Sequence, residues 1–403
     1  MKENKENQEK PNLFKFATSE LSQDAFLCYL LSYCKKEYES LYPNEYEIGN
    51  KFFNKILEEC FKSEKIPKVE TLEIKKQNNN IDILLILNEK IDPYYIIIED
   101  KTETSEHSEQ IQRYKNKLME LMGDIEEEKI KTLYFKTGDE SLHKLGNSSS
   151  KENHIMRKDF LKLYYYDKDK ILYKGNNCII IEYFERLKQI DDEIESFREV
   201  NLKEEEFSWY QMIGFYNALD REFYKCEKMN SLYAEEKKIH SSWEYVPNQN
   251  GGFLCYHFFD ILNYKNYSYY LQIEKINIKT KKEIEEEKKY GIKSLRNTRW
   301  TYKDIPYSNM TLVIKVWSND KNIEILRKSL EVFKEKYKDK FDEKVFLKPN
   351  KFSRGTWMTQ LLINDYIVLN EDNTISIEKT SEKIREYQMM LKSLEKEFRD
   401  VMK

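Results

Sequence analysis

The stretch that most constrains this chain is a pair of apolar runs separated by one short polar turn. Ile81–Leu87 is apolar except at Asp82, and 94–98 is apolar until it meets Glu99-Asp100-Lys101. Short, Ile- and Leu-rich runs bounded by polar residues predict buried strands. With 89–92 as a hairpin loop, Asn88 faces Pro93, and counting outward from that pair sets Asp82 opposite Glu99. Opposed residues of an antiparallel pair share a face, their Cβ atoms about 4.5–5.5 Å apart. Glu99 and Lys101 are two residues apart and share that face as well. Asp100 points to the other side, leaving only its backbone carbonyl near the cluster. Two neighbouring carboxylates repel each other unless a cation joins them. Oxygen ligands select a hard ion, so Mg²⁺ or Mn²⁺ is expected.

The flanking segments fix the fold class. A helix is predicted over 19–37, capped by Thr18 or Ser19, with Leu21, Phe26, Leu27, Leu30 and Leu31 as its buried side. A second covers 47–61 with Ile48, Phe52, Ile56 and Leu57 inward. Segment 68–75 reads as a strand, 105–122 as a helix and 131–136 as a strand. Then come a polar loop (143–151), a helix (156–165) and a short strand (178–181). This order is α/β with an antiparallel start. A helical stripe of Leu187, Ile190, Ile194 and Phe197 ends near Val200, where we set a domain boundary. Residues 1–13 are then a disordered tail, 14–200 the first domain and 201–403 a C-terminal α+β region; 403 residues suit two cores better than one. The second region opens with a helix carrying Trp209, Met212, Ile213, Tyr216, Leu219 and Phe223, and continues through strands at 252–259, 267–273 and 312–316. It closes on a helix with Ile384, Tyr387, Leu391, Leu394 and Phe398 at 3-4 spacing. That stripe serves either packing on its own domain or a homo-oligomer.

Charge and cysteine usage exclude several classes. The net charge is −4, so any nucleic-acid contact must come from local patches. No apolar run reaches the ~18–20 residues of a membrane helix, and the polar start lacks a secretory segment. Six scattered cysteines without a C-x-x-C pair, and five histidines without ligand spacing, argue against a zinc ribbon and suit a reducing cytoplasm. Two stretches mix bases with aromatics: Lys293, Arg296, Arg299 and Trp300, then Lys348, Lys351 and Arg354. They read as phosphate- and base-contacting patches or as solvated loops around core tryptophans.

Ile81-Asp82 together with Glu99-Asp100-Lys101 resembles the signature of the PD-(D/E)XK nuclease superfamily, with Ile81 standing where the name-giving Pro would be. Gln110-Ile111-Gln112-Arg113-Tyr114 resembles the Q-x-x-x-Y motif of its RecB-like members, and at this spacing Gln110 and Tyr114 share a helix face. The segment from Phe16 to Leu27 resembles the opening helix of a bacterial branch, with Glu20 matching its acid. The resemblance implies a restriction-endonuclease-like core, a mixed central sheet flanked by helices. It implies an Mg²⁺- or Mn²⁺-dependent nuclease acting on DNA, in the setting of defence against foreign DNA. Asp82, Glu99, Lys101, Gln110 and Tyr114 would form the catalytic set. Glu20, Asp82, Glu99 and Asp100 would hold the metal. The alternatives are a nucleic-acid-binding or sensor protein with a silent nuclease-like domain, and an interaction protein built on the C-terminal helix.

Overall fold

The computed structural model describes residues 11–62, 64–78, 80–103, 110–123, 125–146, 153–167, 170–229, 241–246, 252–264, 267–275, 278–279, 288–289, 300–301, 310–318, 328, 331, 335, 357–363, 366–393, 395 and 399–400. The chain divides into two units. One comprises the residues up to Asp139 with Asn147–Asp192; the other comprises Glu140–Gly146 and everything from Glu193 onward.

The first unit opens with helices α1 (Glu20–Ser32), α2 (Tyr38–Leu41) and α3 (Pro43–Phe61), followed by strands β1 (Leu72–Asn78), β2 (Ile81–Leu87) and β3 (Tyr94–Lys101). Helix α4 (Gln110–Met122) leads to β4 (Ile130–Lys136); α5 (Leu142–Gly146) belongs to the second unit. The first unit resumes with β5 (His154–Met156), α6 (Arg157–Leu161), β6 (Tyr165–Asp167), β7 (Lys170–Ile171) and α7 (Cys178–Glu195), whose last turn falls in the second unit. The main sheet runs in the order β1-β2-β3-β4-β5. Its first two pairings are antiparallel and its last two parallel, which makes it a mixed sheet flanked by helices. Strands β2 and β3 are buried on both faces, as their continuous apolar runs require. On one face Ile83, Leu85, Ile96, Ile98 and Phe135 join Leu27, Phe52 and Phe184 of the helices in a large apolar cluster. On the other, Leu84, Ile86, Tyr95 and Ile97 meet Leu118 of α4. Each such buried side chain contributes about 1.5–3 kcal/mol. Helices α1 and α3 cross closely because Gly49 has no side chain: a Cβ there would lie 2.8 Å from the Leu30 carbonyl oxygen.

Four local expectations are corrected. Segment 178–181 is the first turn of α7, not a strand. Asn177 caps it through Oδ1 to the amides of Ile179 and Ile180 (3.1 and 3.4 Å), and Ile180, Tyr183, Phe184 and Leu187 fall on one buried helical stripe. The cap and the period outweigh the β preference of the Ile run. Segment 156–165 is broken into β5, the single turn α6 and β6, with Arg157 anchored by the Thr137 carbonyl. The described part of 143–151 is mostly helical, because Asp220 accepts the Leu142 amide at 2.6 Å and so caps α5 from a distant element. Leu21 is exposed rather than inward.

The second unit begins with α8 (Trp209–Met229), capped reciprocally: the Ser208 amide donates to Gln211 Oε1, and Ser208 Oγ accepts the Gln211 amide. Its strands are β8 (Ser241–Val246), β9 (Phe253–Tyr264), β10 (Tyr267–Lys275), β11 (Ile278–Lys279), β12 (Trp300–Thr301), β13 (Met310–Ser318) and β14 (Trp357–Ile363); α9 (Ile377–Ser393) follows. Five of them form an antiparallel sheet, β14-β13-β10-β9-β8. Tyr216 and Phe223 of α8 meet Tyr256 and Phe258 of β9, with ring centroids 5.8 and 4.9 Å apart. Ile384, Tyr387 and Leu391 of α9 are buried inside this unit; Leu394 and Phe398 lie outside the described residues. No described helix is long and apolar enough to cross a membrane.

Candidate active site

The hairpin register is the one counted from the sequence. Leu87 pairs with Tyr94, Leu84 with Ile97 and Ile83 with Ile98, so the next step outward brings Asp82 to Glu99. The Asp100 amide donates to Asp82 Oδ2 at 3.1 Å, which ties the two strand ends together. Lys101 lies at the centre of the cluster. Its Nζ is 2.5 Å from Glu99 Oε1, 3.7 Å from Glu20 Oε2 and 3.8 Å from Asp82 Oδ2, and it donates to the Asp100 carbonyl at 2.9 Å. Three carboxylates from α1, β2 and β3 therefore converge on one ammonium. The Glu99 side chain is fully buried, that of Lys101 only 6% exposed, while those of Asp82 and Glu20 are 21% and 36% exposed. The cluster is closed beneath and open above. Burial works against the Lys101 charge, but Glu99, Glu20 and Asp82 outweigh it and raise the lysine's pKa.

Asp100 is on the opposite face, as alternation demands. Its Oδ1 accepts from Gln23 Nε2 at 2.5 Å, and the Asp24 carboxyl is near enough to act on it electrostatically. Burial raises the pKa of both acids. Gln23 is the hub of this hidden layer. Its Nε2 also donates to the Lys101 carbonyl (3.2 Å), and its Oε1 accepts from Thr137 Oγ1 (2.6 Å) and Tyr183 OH (3.0 Å). One amide thus joins α1, β3, α7 and the residue after β4. Only the Asp100 backbone carbonyl reaches the carboxylate cluster.

Gln110 and Tyr114 are on one face of α4, with Gln110 Nε2 donating to the Tyr114 hydroxyl at 2.6 Å. Burial raises the Tyr114 hydroxyl, and Glu99, Asp82 and Lys101 are near enough to act on it electrostatically. Sequence reasoning missed Gln23, Asp24, Thr137 and Tyr183. It also missed Lys136, which is buried beside Lys101 in the parallel β3–β4 register. The signal for Gln23 and Asp24 was present: two polar residues, separated by Ala25 alone from the buried Phe26 and Leu27 on α1. Lys293, Arg296, Arg299, Lys348, Lys351 and Arg354 lie outside the described residues. Trp300 opens β12, where only its backbone is described.

The donor set fits a divalent ion. Three carboxylates and a backbone carbonyl offer oxygen alone, and they already gather around a positive charge. A family model described as the PD-(D/E)XK nuclease superfamily matches residues 11–216. No curated protein and no solved structure matches the chain.

Proposed function

The chain belongs to the PD-(D/E)XK nuclease superfamily, and from that premise we propose that it is a divalent-metal-dependent nuclease hydrolysing phosphodiester bonds in DNA. The convergence of Glu20, Asp82 and Glu99 on Lys101 carries this reading. Members of this superfamily generally use divalent ions. Here Asp82, Glu99 and the Asp100 carbonyl would hold Mg²⁺ or Mn²⁺, with Glu20 at the open side. The ion, when bound, polarises a phosphoryl oxygen and acidifies a water.

The side chains supply the rest. Lys101 orients the attacking water and stabilises the negative charge that grows on the phosphoryl oxygens as the new P–O bond forms and the ester P–O bond breaks. Glu99 keeps the ammonium charged and aimed. The Gln23–Asp100–Asp24 layer fixes the end of β3 from behind, so that Glu99 and Lys101 keep their spacing. Gln110, whose Nε2 is held by the Tyr114 hydroxyl, would accept from a water through its amide oxygen. Lys293, Arg296, Arg299, Lys348, Lys351 and Arg354 would bind the DNA backbone, and Trp300 would stack on bases. Bacterial defence against foreign DNA is the setting this activity suits.

The test is cleavage of plasmid, single-stranded DNA and RNA with Mg²⁺, Mn²⁺ or EDTA. DNA should be cut with the metals and spared with EDTA. Failure to cut any of the three with either metal would leave a silent nucleic-acid-binding domain instead.

A further inference from the structure

The second unit carries a group of side chains that the nuclease chemistry does not use. Cys255 and His257 are two residues apart on β9 and share a face. Glu244 of β8 is paired directly with Cys255, which brings its carboxylate to the same face. The donor atoms of all three lie within 4.8 Å of one another. Cys255 Sγ is 2.8 Å from His257 Nε2, and Glu244 Oε1 is 3.3 Å from that same nitrogen. Cys255 is fully buried, His257 nearly so, and the Glu244 side chain is one-third exposed.

The geometry separates two chemistries. In a Cys–His–acid relay, the thiol and the carboxylate bind opposite nitrogens of the imidazole, so that the acid orients the ring and the ring takes the thiol proton. Here both converge on Nε2, while Nδ1 is buried without a hydrogen-bond partner among the described residues. A ring nitrogen has one proton or one lone pair and satisfies only one of the two neighbours. Three donors aimed at one point are instead the arrangement of a metal site. Burial also holds the Cys255 thiol above its usual range, which disarms it as a free nucleophile.

We propose that Glu244, Cys255 and His257 bind a zinc-class ion through Oε1, Sγ and Nε2, with water in the fourth position on the exposed Glu244 side. Mixed sulfur, nitrogen and oxygen donors select such a borderline ion over Mg²⁺. Around a tetrahedral ion these donors sit roughly 3.3–3.6 Å apart. The Nε2–Oε1 separation already fits, and Cys255 Sγ needs to withdraw from its present hydrogen bond to Nε2. On binding, the thiol proton leaves to solvent and sulfur becomes the thiolate ligand. The surroundings are built to support this. Lys144 of α5 ion-pairs with Glu244 Oε2 at 2.5 Å, leaving Oε1 for the ion. The imidazole plane is set by packing, with Phe259 stacked at 5.0 Å and Tyr270 beyond. The ion would pin the edge strand β8 to β9.

The test uses the full-length protein loaded with Co²⁺ in place of zinc. Wild type should show a sulfur-to-cobalt charge-transfer band and tetrahedral d–d absorption, with one equivalent of zinc able to displace the cobalt. Cys255→Ser should lose the charge-transfer band. Glu244→Gln, which alters a partly exposed side chain and spares the core, should keep the band but bind at least tenfold more weakly. An oxygen-only centre at Asp82 and Glu99 cannot produce the sulfur band, so an Asp82→Asn background should leave it unchanged. Absence of the band in folded wild type, or its persistence in Cys255→Ser, would overturn the proposal.

Discussion

Among the described residues, each unit of this chain carries a cluster of candidate metal donors on neighbouring strands, and the two are built differently. The cluster at Asp82, Glu99 and Lys101 offers only oxygen and is already balanced by an ammonium. It is braced from behind by a hydrogen-bonded layer around Gln23 and Asp100. The cluster at Glu244, Cys255 and His257 mixes three donor elements and is held by aromatic packing and one lysine. The contrast shows that donor chemistry, more than the strand scaffold, decides what a cluster does. Oxygen around a cation suits phosphoryl chemistry, and sulfur with nitrogen suits a tightly held ion.

The sharpest way to break the comparison is to remove the ammonium. Lys101→Ala should lower the cleavage rate about 10²–10³-fold, as for other lost transition-state donors, while DNA affinity changes far less. Cleavage by the variant at the wild-type rate on every substrate would remove Lys101 from the chemistry.

The next effect separates the two clusters by metal. Zinc at about 100 times its Kd should stabilise the folded protein by ~2.7 kcal/mol, read as a rise in Tm. Cys255→Ser should abolish that rise and Asp82→Asn should not. Equal rises in wild type and Cys255→Ser would place zinc elsewhere.

Asp100→Ala tests the hidden layer. It leaves Gln23 and Asp24 buried without this partner, at a cost of ~1–3 kcal/mol, and it should lower the cleavage rate as β3 loses its anchor. Unchanged stability with a lost rate would mean that Asp100 acts on the metal through its side chain.

The smallest effect concerns α4. Tyr114→Phe keeps the ring and removes the hydroxyl that accepts from Gln110. Stability should fall by no more than ~1 kcal/mol, while cleavage drops several-fold, as it also should in Gln110→Ala. Full activity in both variants would make the pair structural.

The first cluster was legible because its logic is local. One hairpin loop fixes the register, the register fixes the face, and an acid inside an apolar run marks the site. The chain's membership of the nuclease superfamily and the mixed sheet follow the same reading. The hidden layer was not legible, because Gln23 finds its partners 77, 114 and 160 residues away. Residues 178–181 misled because three isoleucines look like a strand until Asn177 is seen to cap a helix. The second cluster was not legible because spacing along the chain does not reveal it. Cys255 and His257 sit at strand spacing, and Glu244 joins them only through the β8–β9 register.

The most direct test of the central claim is single-turnover cleavage of labelled duplex DNA by wild type and Glu99→Gln, each with Mg²⁺ and with EDTA. The account predicts cutting by wild type in Mg²⁺ alone, and a loss of at least 10²-fold in Glu99→Gln with DNA binding retained. Cutting in EDTA, or equal rates for the two proteins in Mg²⁺, would contradict it.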